Sequence, residues 1–328
     1  MNPIRHLFVG MVCAVSITNL NPKCHAAQWA IAEKDNPGGP GKQVEVTLGG
    51  RPVAAFVHGE GQFKPYLHVY GEAGELVTNG GLDKEGKPAG KYPHHRGIYI
   101  GWNKIISDLG SFDLWHFNNG GKMTVKKFEK LEARKDSVII VAQIEWRGGK
   151  KDAQESDLLL TETRTLTISR PDGKRTQVDA QFVLRSARDL SLDGDLQHAG
   201  IHFRAADEVA DRAKETAYLW EPDLPAGAGK VVSPEFKWCR LLFPIGERWY
   251  TSLELNGPGN PVEELSWRDY GRFGFFFKKS LKAGEKLKVN YRFLIEPAEK
   301  PDASAVATAQ SRAACAAHYE AFVKALEK

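Results

Sequence analysis

Short runs of β-branched and aromatic residues, many of them alternating polar and apolar, recur along most of this chain. "KQVEVTLGG", "RPVAAFVHG", "SVIIVAQIEWRG", "LLLTETRTLTISR", "TQVDAQFVLRS", "FGFFFKKSL" and "KLKVNYRFLIEP" are separated by Gly, Pro, Asp and Asn turns such as "RPDGKR". Alternate side chains of an extended chain point to opposite faces, so each run predicts a half-buried strand. Many such strands at close intervals predict an all-β fold, a large antiparallel β-sandwich or barrel. Helical periodicity with good helix formers stands out only in "DASAVATAQSRAACAAHYEAFVKALEK", where Asp302 or Ser304 can cap, and it predicts a C-terminal α-helix packed on the sandwich or partly free. No fixed-period repeat and no long linker divides the β region. The expected organisation is a single β-sandwich domain over 27–298 and a helical tail over 299–328.

The first residues follow a different pattern. A basic start (Arg5, His6), an apolar stretch from Leu7 to Ile17 and small residues in "CHAAQW" predict a signal peptide over 1–26, cleaved after Ala26. The apolar stretch is too short to span a bilayer. The expected location is secreted or periplasmic. Composition adds two exclusions. With 42% hydrophobic residues among 328 the chain can bury a large core, but its pattern holds no run that would make a polytopic membrane protein. A net charge of +4, with basic and acidic residues interspersed, gives no nucleic-acid footprint.

Histidine placement carries most of the chemistry. Six of ten histidines fall in strand-like segments: His68 in "PYLHV", His94 and His95 in "PHHRG", His116 in "LWHFNNG", and His198 and His202 in "QHAGIHFR". Residues two apart in a strand share a face, so His94 and His95 would face opposite ways, with His95 entering a pocket and Arg96 at its rim. His198 and His202 would stand about 13 Å apart, unless a kink at Ala199 and Gly200 brings them closer. Imidazoles suit first-row divalent metals, and His94, His95, His198 and His202 are the candidate ligands, joined by His68, His116, Asp113 or Glu221. No compact ligand motif such as HExxH or paired CxxC occurs, so the alternative of no cofactor stands beside the divalent ion. In the metal-free reading an imidazole moves a proton while Arg96, Arg204 or Arg268 holds a polar substrate group. The plain alternative for any one histidine is a hydrogen-bonded strand position.

A second constellation is "SWRDYGRFG", with Arg268, Asp269, Tyr270 and Arg272 ahead of an aromatic strand. These residues either brace a loop or supply substrate grip and a phenolic acid in Tyr270. Exposed tryptophans among Trp102, Trp115, Trp220, Trp249 and Trp267 could stack on sugar rings, whereas buried ones fill core. Cys239 and Cys315 remain after the leader; we read them as structural, with a bridge between them open.

The ordered series "KPYLHVYGEAGELVTN", "YPHHRGIYIGWNKI", "FDLWHF", "HAGIHFRAA", "GERWYTSLELN" and "SWRDYGRFGFFF" resembles the bacterial PmoA family, labelled methane oxygenase PmoA, over roughly His58 to Pro297. A methane-oxidising membrane subunit would need several spanning helices, which this sequence lacks. The resemblance therefore implies an exported β-sandwich similar to the galactose mutarotase-like supersandwich, a fold used by sugar epimerases, glycoside hydrolases and polysaccharide lyases. It also implies that His198, in "DLQHAGIHFR", stands where relatives carry a glutamate, which would suit proton abstraction better than a carboxylate nucleophile. The expected function is an exported carbohydrate-active enzyme of lyase or epimerase type. His95, His198 and Tyr270 would be catalytic, with His68, Arg96, His116, His202, Arg204 and Arg268 binding a carbohydrate substrate. The alternatives are a metal-dependent glycoside hydrolase and a non-catalytic carbohydrate-binding protein.

Overall fold

The computed structural model describes residues 28–117, 121–149, 157–195, 197–225, 230–233, 235–300 and 309–327. The leader expected over 1–26 lies outside them. Two large antiparallel sheets and one small one hold the strands. From edge to edge the first sheet contains Trp29–Asp35 (β1), Lys42–Leu48 (β2), Arg51–His58 (β3), Tyr66–Val69 (β4), Ile98–Trp102 (β5), Ala199–Arg204 (β13), Arg272–Phe276 (β19), Glu264–Arg268 (β18) and Lys230–Val232 (β15). The second contains Ala217–Glu221 (β14), Trp238–Ile245 (β16), Arg248–Asn256 (β17), Lys286–Ala298 (β21), Thr176–Ser186 (β11), Leu158–Ser169 (β10), Ser137–Arg147 (β9) and Lys122–Ala133 (β8). Lys279–Leu281 (β20), Leu190–Asp193 (β12), Lys104–Ser107 (β6) and Gly110–Phe112 (β7) form the small sheet.

The two large sheets share one hydrophobic core, to which Val44, Phe56 and Ile100 come from the first and Ile140, Phe182 and Val289 from the second. Strand alternation produces this directly: β9, β10 and β11 bury every second residue and leave the next half-buried. The middle of the first sheet departs from that rule, because β5, β13 and β19 are buried on both faces. Ile98, Ile100, Ile201, Phe203, Phe273 and Phe275 enter the shared core. Their alternates Tyr99, His202, Arg204, Arg272 and Phe276 therefore face the other way, and loops cover them there. Tyr99 and Phe276 pack with Val57, Tyr66 and Trp115 in a second apolar cluster on this outer face.

The C-terminal helix, Ala309–Leu326 (α1), docks on the opposite side of the molecule. Its Cys315 and Phe322 pack with Leu219, Trp238, Leu253, Leu255 and Leu294 on the outer face of the second sheet. Cys239 sits in the shared core whereas Cys315 lies in this outer cluster, and both are buried free thiols rather than a bridge. No helix among the described residues is long and apolar enough to cross a membrane.

Candidate active site

Five of the six histidines meet on the outer face of the first sheet. Ring centroids lie 4.1 Å apart for His94 and His95, 4.5 Å for His94 and His116, 4.7 Å for His116 and His198, 5.8 Å for His95 and His198, and 5.5 Å for His95 and His202. The alternation expected to separate His94 from His95 does not operate, because the strand begins only at Ile98 and the pair sits in the preceding turn. His198 likewise precedes β13, so the extended spacing to His202 does not hold. Gly200 has φ +147°, and a Cβ there would collide with the Phe275 carbonyl. The glycine lets β13 press against β19 between the two histidines.

His68 stands elsewhere. Its Nδ1 lies 2.9 Å from Thr78 Oγ1, and it lines a separate cavity of about 280 Å³ with Asn79, Gly80 and Asp207.

Two of the imidazoles are aimed by carboxylates in the same local way. The segments Asp113–His116 and Asp195–His198 both read D-L-x-H. Asp113 Oδ1 accepts the backbone N–H groups of Trp115 at 2.9 Å and His116 at 2.7 Å, while its Oδ2 lies 2.9 Å from His116 Nδ1. Asp195 accepts the Gln197 N–H at 2.9 Å and approaches His198 Nδ1 at 2.8 and 3.0 Å, and Asn103 Nδ2 holds it at 2.7 Å. An imidazole that donates from Nδ1 to a carboxylate carries its free lone pair on Nε2. Both Nε2 atoms are thereby prepared to accept a proton or a cation. The repeated D-L-x-H is the sequence signal by which Asp195 and the role of Asp113 could have been found.

Lys64 fastens the loops together. Its buried Nζ donates to the His94 and Trp115 carbonyls, each at 2.7 Å, and lies 3.7 Å from the centre of the Tyr99 ring. Burial, reinforced by Arg96, pulls its pKa well below the usual lysine range. The neighbouring imidazoles are held neutral in the same fashion. Burial drives His94 down to about 3, with further pressure from His116 and Lys64, and drives His95 and His202 well below 6.5, with Arg272 adding to both. Burial lowers His198 as well, although Asp195 pulls the other way. Burial alone would raise Asp195, yet its hydrogen bonds from His198, Gln197 and Asn103 bring it to about 2. The pair is thus a carboxylate beside a neutral imidazole near neutral pH.

The arginines expected to grip substrate are mostly committed to the scaffold. Arg96 is buried rather than at the rim, with Nη1 donating to Gln62 Oε1 at 2.8 Å and Nε to the Pro93 carbonyl at 3.3 Å. Arg204 is fully buried, donates to the Ala205 carbonyl at 2.8 Å and to the Tyr270 carbonyl, and faces the Tyr270 ring at 5.0 Å. Arg268 donates to the Trp267 carbonyl at 2.7 Å. Arg272, fully buried, donates to Ser266 Oγ at 3.1 Å and lies 5.5 Å from the centre of the Phe276 ring, and its charge adds to the burial that lowers His95 and His202. Glu221 is far from this chemistry, paired at 3.3 Å with Arg312 of α1.

Tyr270 does reach the site: its hydroxyl lies 3.5 Å from His95 Nδ1, and its ring stacks on Tyr92 at 4.3 Å. His95 Nε2 is buried and has no hydrogen-bond partner among the described residues. Trp102, Trp115 and Trp249 are buried, and Trp220 and Trp267 stack on each other at 6.2 Å, so these rings fill core. Among the described residues the exposed aromatics are Tyr92 at 48% and Phe63 at 52%, the latter stacked on Phe117 at 6.1 Å. Tyr92 and Phe117 both hold positive φ, +57° and +65°, an uncommon state for bulky residues. Each lies in a histidine-bearing turn, two residues before His94 and one after His116.

His94, His116 and His198 offer one ring nitrogen each, all within 4.8 Å of one another, as a metal could use them. Against this geometry stand the comparisons with other proteins. The chain belongs to the family of unknown function DUF6807. That family's model matches residues 43–310 and replaces the PmoA assignment expected from the sequence motifs, for which no family evidence is found. No curated protein matches the chain. Among solved structures it is similar to a galactose mutarotase-like protein from Clostridium acetobutylicum, at 12% identity and a TM-score of 0.40, over 83% of this chain and 99% of that one. It is also similar to a heparan sulfate lyase from Pedobacter heparinus, at 9% identity and a TM-score of 0.35, over 84% of this chain and 36% of that one. The DUF6807 chain thus spans about a third of the lyase's length.

Proposed function

We propose that this protein is an exported carbohydrate-active enzyme that moves a proton at a sugar or oxidised-sugar ring, in the manner of a lyase or epimerase. The observation that carries the reading is convergence: imidazoles from three segments distant in sequence, with Tyr270 from a fourth, meet on one face of one sheet. A binding module would leave these histidines scattered as strand hydrogen-bonders behind an open aromatic face. His95 and Tyr270 are the proton-handling pair. Burial keeps the imidazole neutral, which leaves a ring lone pair open while weakening it as a base, and the phenol within hydrogen-bond reach of it can donate a proton. The exposed Tyr92 ring, stacked on Tyr270 and beside both His94 and His95, is the surface against which a pyranose would lie. The buried charge of Arg272, which acts on His95 and His198, would favour negative charge developing on a substrate held beside them.

The test is a substrate screen of the purified protein against oligosaccharides and against 3-keto and uronic glycosides, with and without chelator. A lyase leaves an unsaturated product and an epimerase exchanges a ring proton with solvent deuterium, whereas a hydrolase does neither. Once a substrate is in hand, Tyr270→Phe and His95→Ala are expected to lower kcat by about 100-fold or more. Full turnover in both His95→Ala and His198→Ala would remove the assignment. A metal-dependent glycoside hydrolase is the second reading, favoured by the clustering of His94, His116 and His198, and hydrolysis abolished by chelator would select it.

A further inference from the structure

We infer that His94, His116 and His198 are the protein ligands of a divalent first-row metal ion of the zinc class. Each contributes one ring nitrogen, and those nitrogens lie within 4.8 Å of one another. Tetrahedral coordination at about 2.0–2.1 Å spaces ligand nitrogens by roughly 3.4 Å, so the rings need draw together by little more than an ångström. Of the ligands expected from sequence, His94, His198 and the accompanying His116 come together, while His95 and His202 stand behind, His95 with Nδ1 toward Tyr270 and His202 with Nε2 3.4 Å from the Arg96 carbonyl.

The outer partners are what distinguish a centre from a chance cluster. Histidine ligands of metals characteristically donate their second nitrogen to a carboxylate or carbonyl, which sets the tautomer and ring orientation. Asp113 does this for His116 and Asp195 for His198, each from three residues upstream, and Asn103 in turn holds Asp195. Lys64 anchors the backbone of His94 and of Trp115, immediately before His116, to one point, so two ligand turns share a brace. The ligand rings themselves stay partly open, His116 at 23% and His198 at 20% side-chain exposure. Three protein ligands with one side accessible is the pattern of catalytic rather than structural zinc. A cation there would polarise a substrate oxygen or lower the pKa of a bound water beside His95 and Tyr270. The centre occupies the site proposed above but does not depend on what the substrate is.

The experiment reads binding, not turnover. Untagged protein is stripped with chelator, dialysed, and titrated with Zn²⁺ by calorimetry and with Co²⁺ by visible absorption. One equivalent of each should bind, the cobalt form giving the intense visible bands of a four-coordinate site. His116→Gln and His198→Gln should each weaken zinc binding by about 100-fold, and Asp113→Asn by about 10- to 100-fold. His318→Gln, on α1, should bind zinc as the parent does. Circular dichroism verifies that each variant is folded; should a ligand variant unfold, Asp113→Asn and Asp195→Asn, which leave all three imidazoles in place, carry the test. Absence of stoichiometric uptake by the parent, or uptake undiminished in the folded variants, overturns the centre. Zinc bound here by a protein inert on every glycoside would count against the proposed function alone, and turnover by a protein that takes up no stoichiometric zinc against the centre alone.

Discussion

At the scale of single residues, Lys64 shows how one buried cation can organise chemistry it does not perform. Its ammonium is the common donor to two carbonyls, one of which belongs to His94 while the other immediately precedes His116. Lys64→Met keeps the stem and removes the donor. Two carbonyls are then orphaned, at about 1–3 kcal/mol each, and the cost of burying an ammonium is relieved, so the terms largely offset. We expect stability to change by less than about 2 kcal/mol while zinc affinity falls by about tenfold or more as the ligand turns drift apart. Unchanged affinity in a folded Lys64→Met protein would show that the turns hold themselves. A second prediction concerns two of the buried histidines that are not ligands. His68, facing Thr78, Tyr66 and Arg96, is held at about 3, and His202, facing Lys64, Arg272, His95 and Tyr99, is also depressed, burial being the main cause for both. Their folded pKa values lie below the unfolded value near 6.5, so on acidification the unfolded chain takes up protons that the folded chain refuses. Stability should be full above about pH 6.5 and fall below it, by roughly 1.4 kcal/mol per pH unit for each such histidine, for His68 down to about pH 3. Urea unfolding of metal-free protein between pH 4.5 and 7.5 measures this, and His68→Asn should remove about one proton from the slope. A slope indifferent to His68 would mean that this imidazole is already protonated in the fold. Residue identities were legible in the sequence and their aim was not. The six histidines could be named from composition and setting, but the direction of each ring depends on whether its backbone is extended, and His94, His95, His116 and His198 all lie in turns.

Elements explain why those turns matter. Strand alternation was legible wherever a strand has one half-exposed face, as in β9, β10 and β11. In the first sheet both faces of β5, β13 and β19 are buried, and the binary pattern that marks a strand's ends disappears there. "GIYIGW" reads as a strand with "PHHR" as its entry, but the strand alternation applied to that entry does not reach it, because the strand starts at Ile98. The local rule that survives is D-L-x-H, in which a side chain closes a turn on its own backbone and orients a histidine. Gly200 ties this turn chemistry to the sheet. Replacing it with alanine places a Cβ against the Phe275 carbonyl at a φ that side chains disfavour. We expect Gly200→Ala to cost about 3 kcal/mol or more, combining backbone strain with a clash that only separation of β13 from β19 relieves. Thermal denaturation reports the loss. Because His198 and His202 flank the glycine, zinc affinity should fall with it even below the melting temperature, and an alanine variant of parental stability would contradict the close packing of these strands.

The whole molecule separates what stabilises it from what it is proposed to do. A core shared by two sheets lies between two outer faces, one carrying the imidazoles and the other carrying α1. Sheets packed face to face stand about 10 Å apart, so the helix and the histidines are insulated by two sheet layers and the core between them. The helix itself was legible from its alanine-rich run of helix formers, but whether it docks and on which sheet was not, since that depends on Leu219, Trp238, Leu253, Leu255 and Leu294 presenting an outward apolar patch. Phe322 is 1% exposed in that patch and faces the Arg292 guanidinium at 5.1 Å. Truncating it to alanine removes a buried ring and leaves a cavity, which costs about 3–5 kcal/mol in a packed core and less where a terminal helix can shift to fill it. We therefore expect Phe322→Ala to lower the urea midpoint by an amount equivalent to about 2–4 kcal/mol, with zinc affinity and any turnover unchanged under conditions where the variant is folded. Both quantities are measured on the same preparation, unfolding by tryptophan fluorescence and affinity by calorimetry. A loss of zinc binding without loss of native circular dichroism would mean that α1 reaches the site through the sandwich. Insulation would then fail, and the eight-stranded sheet would have to be counted as part of the functional machinery rather than as its support.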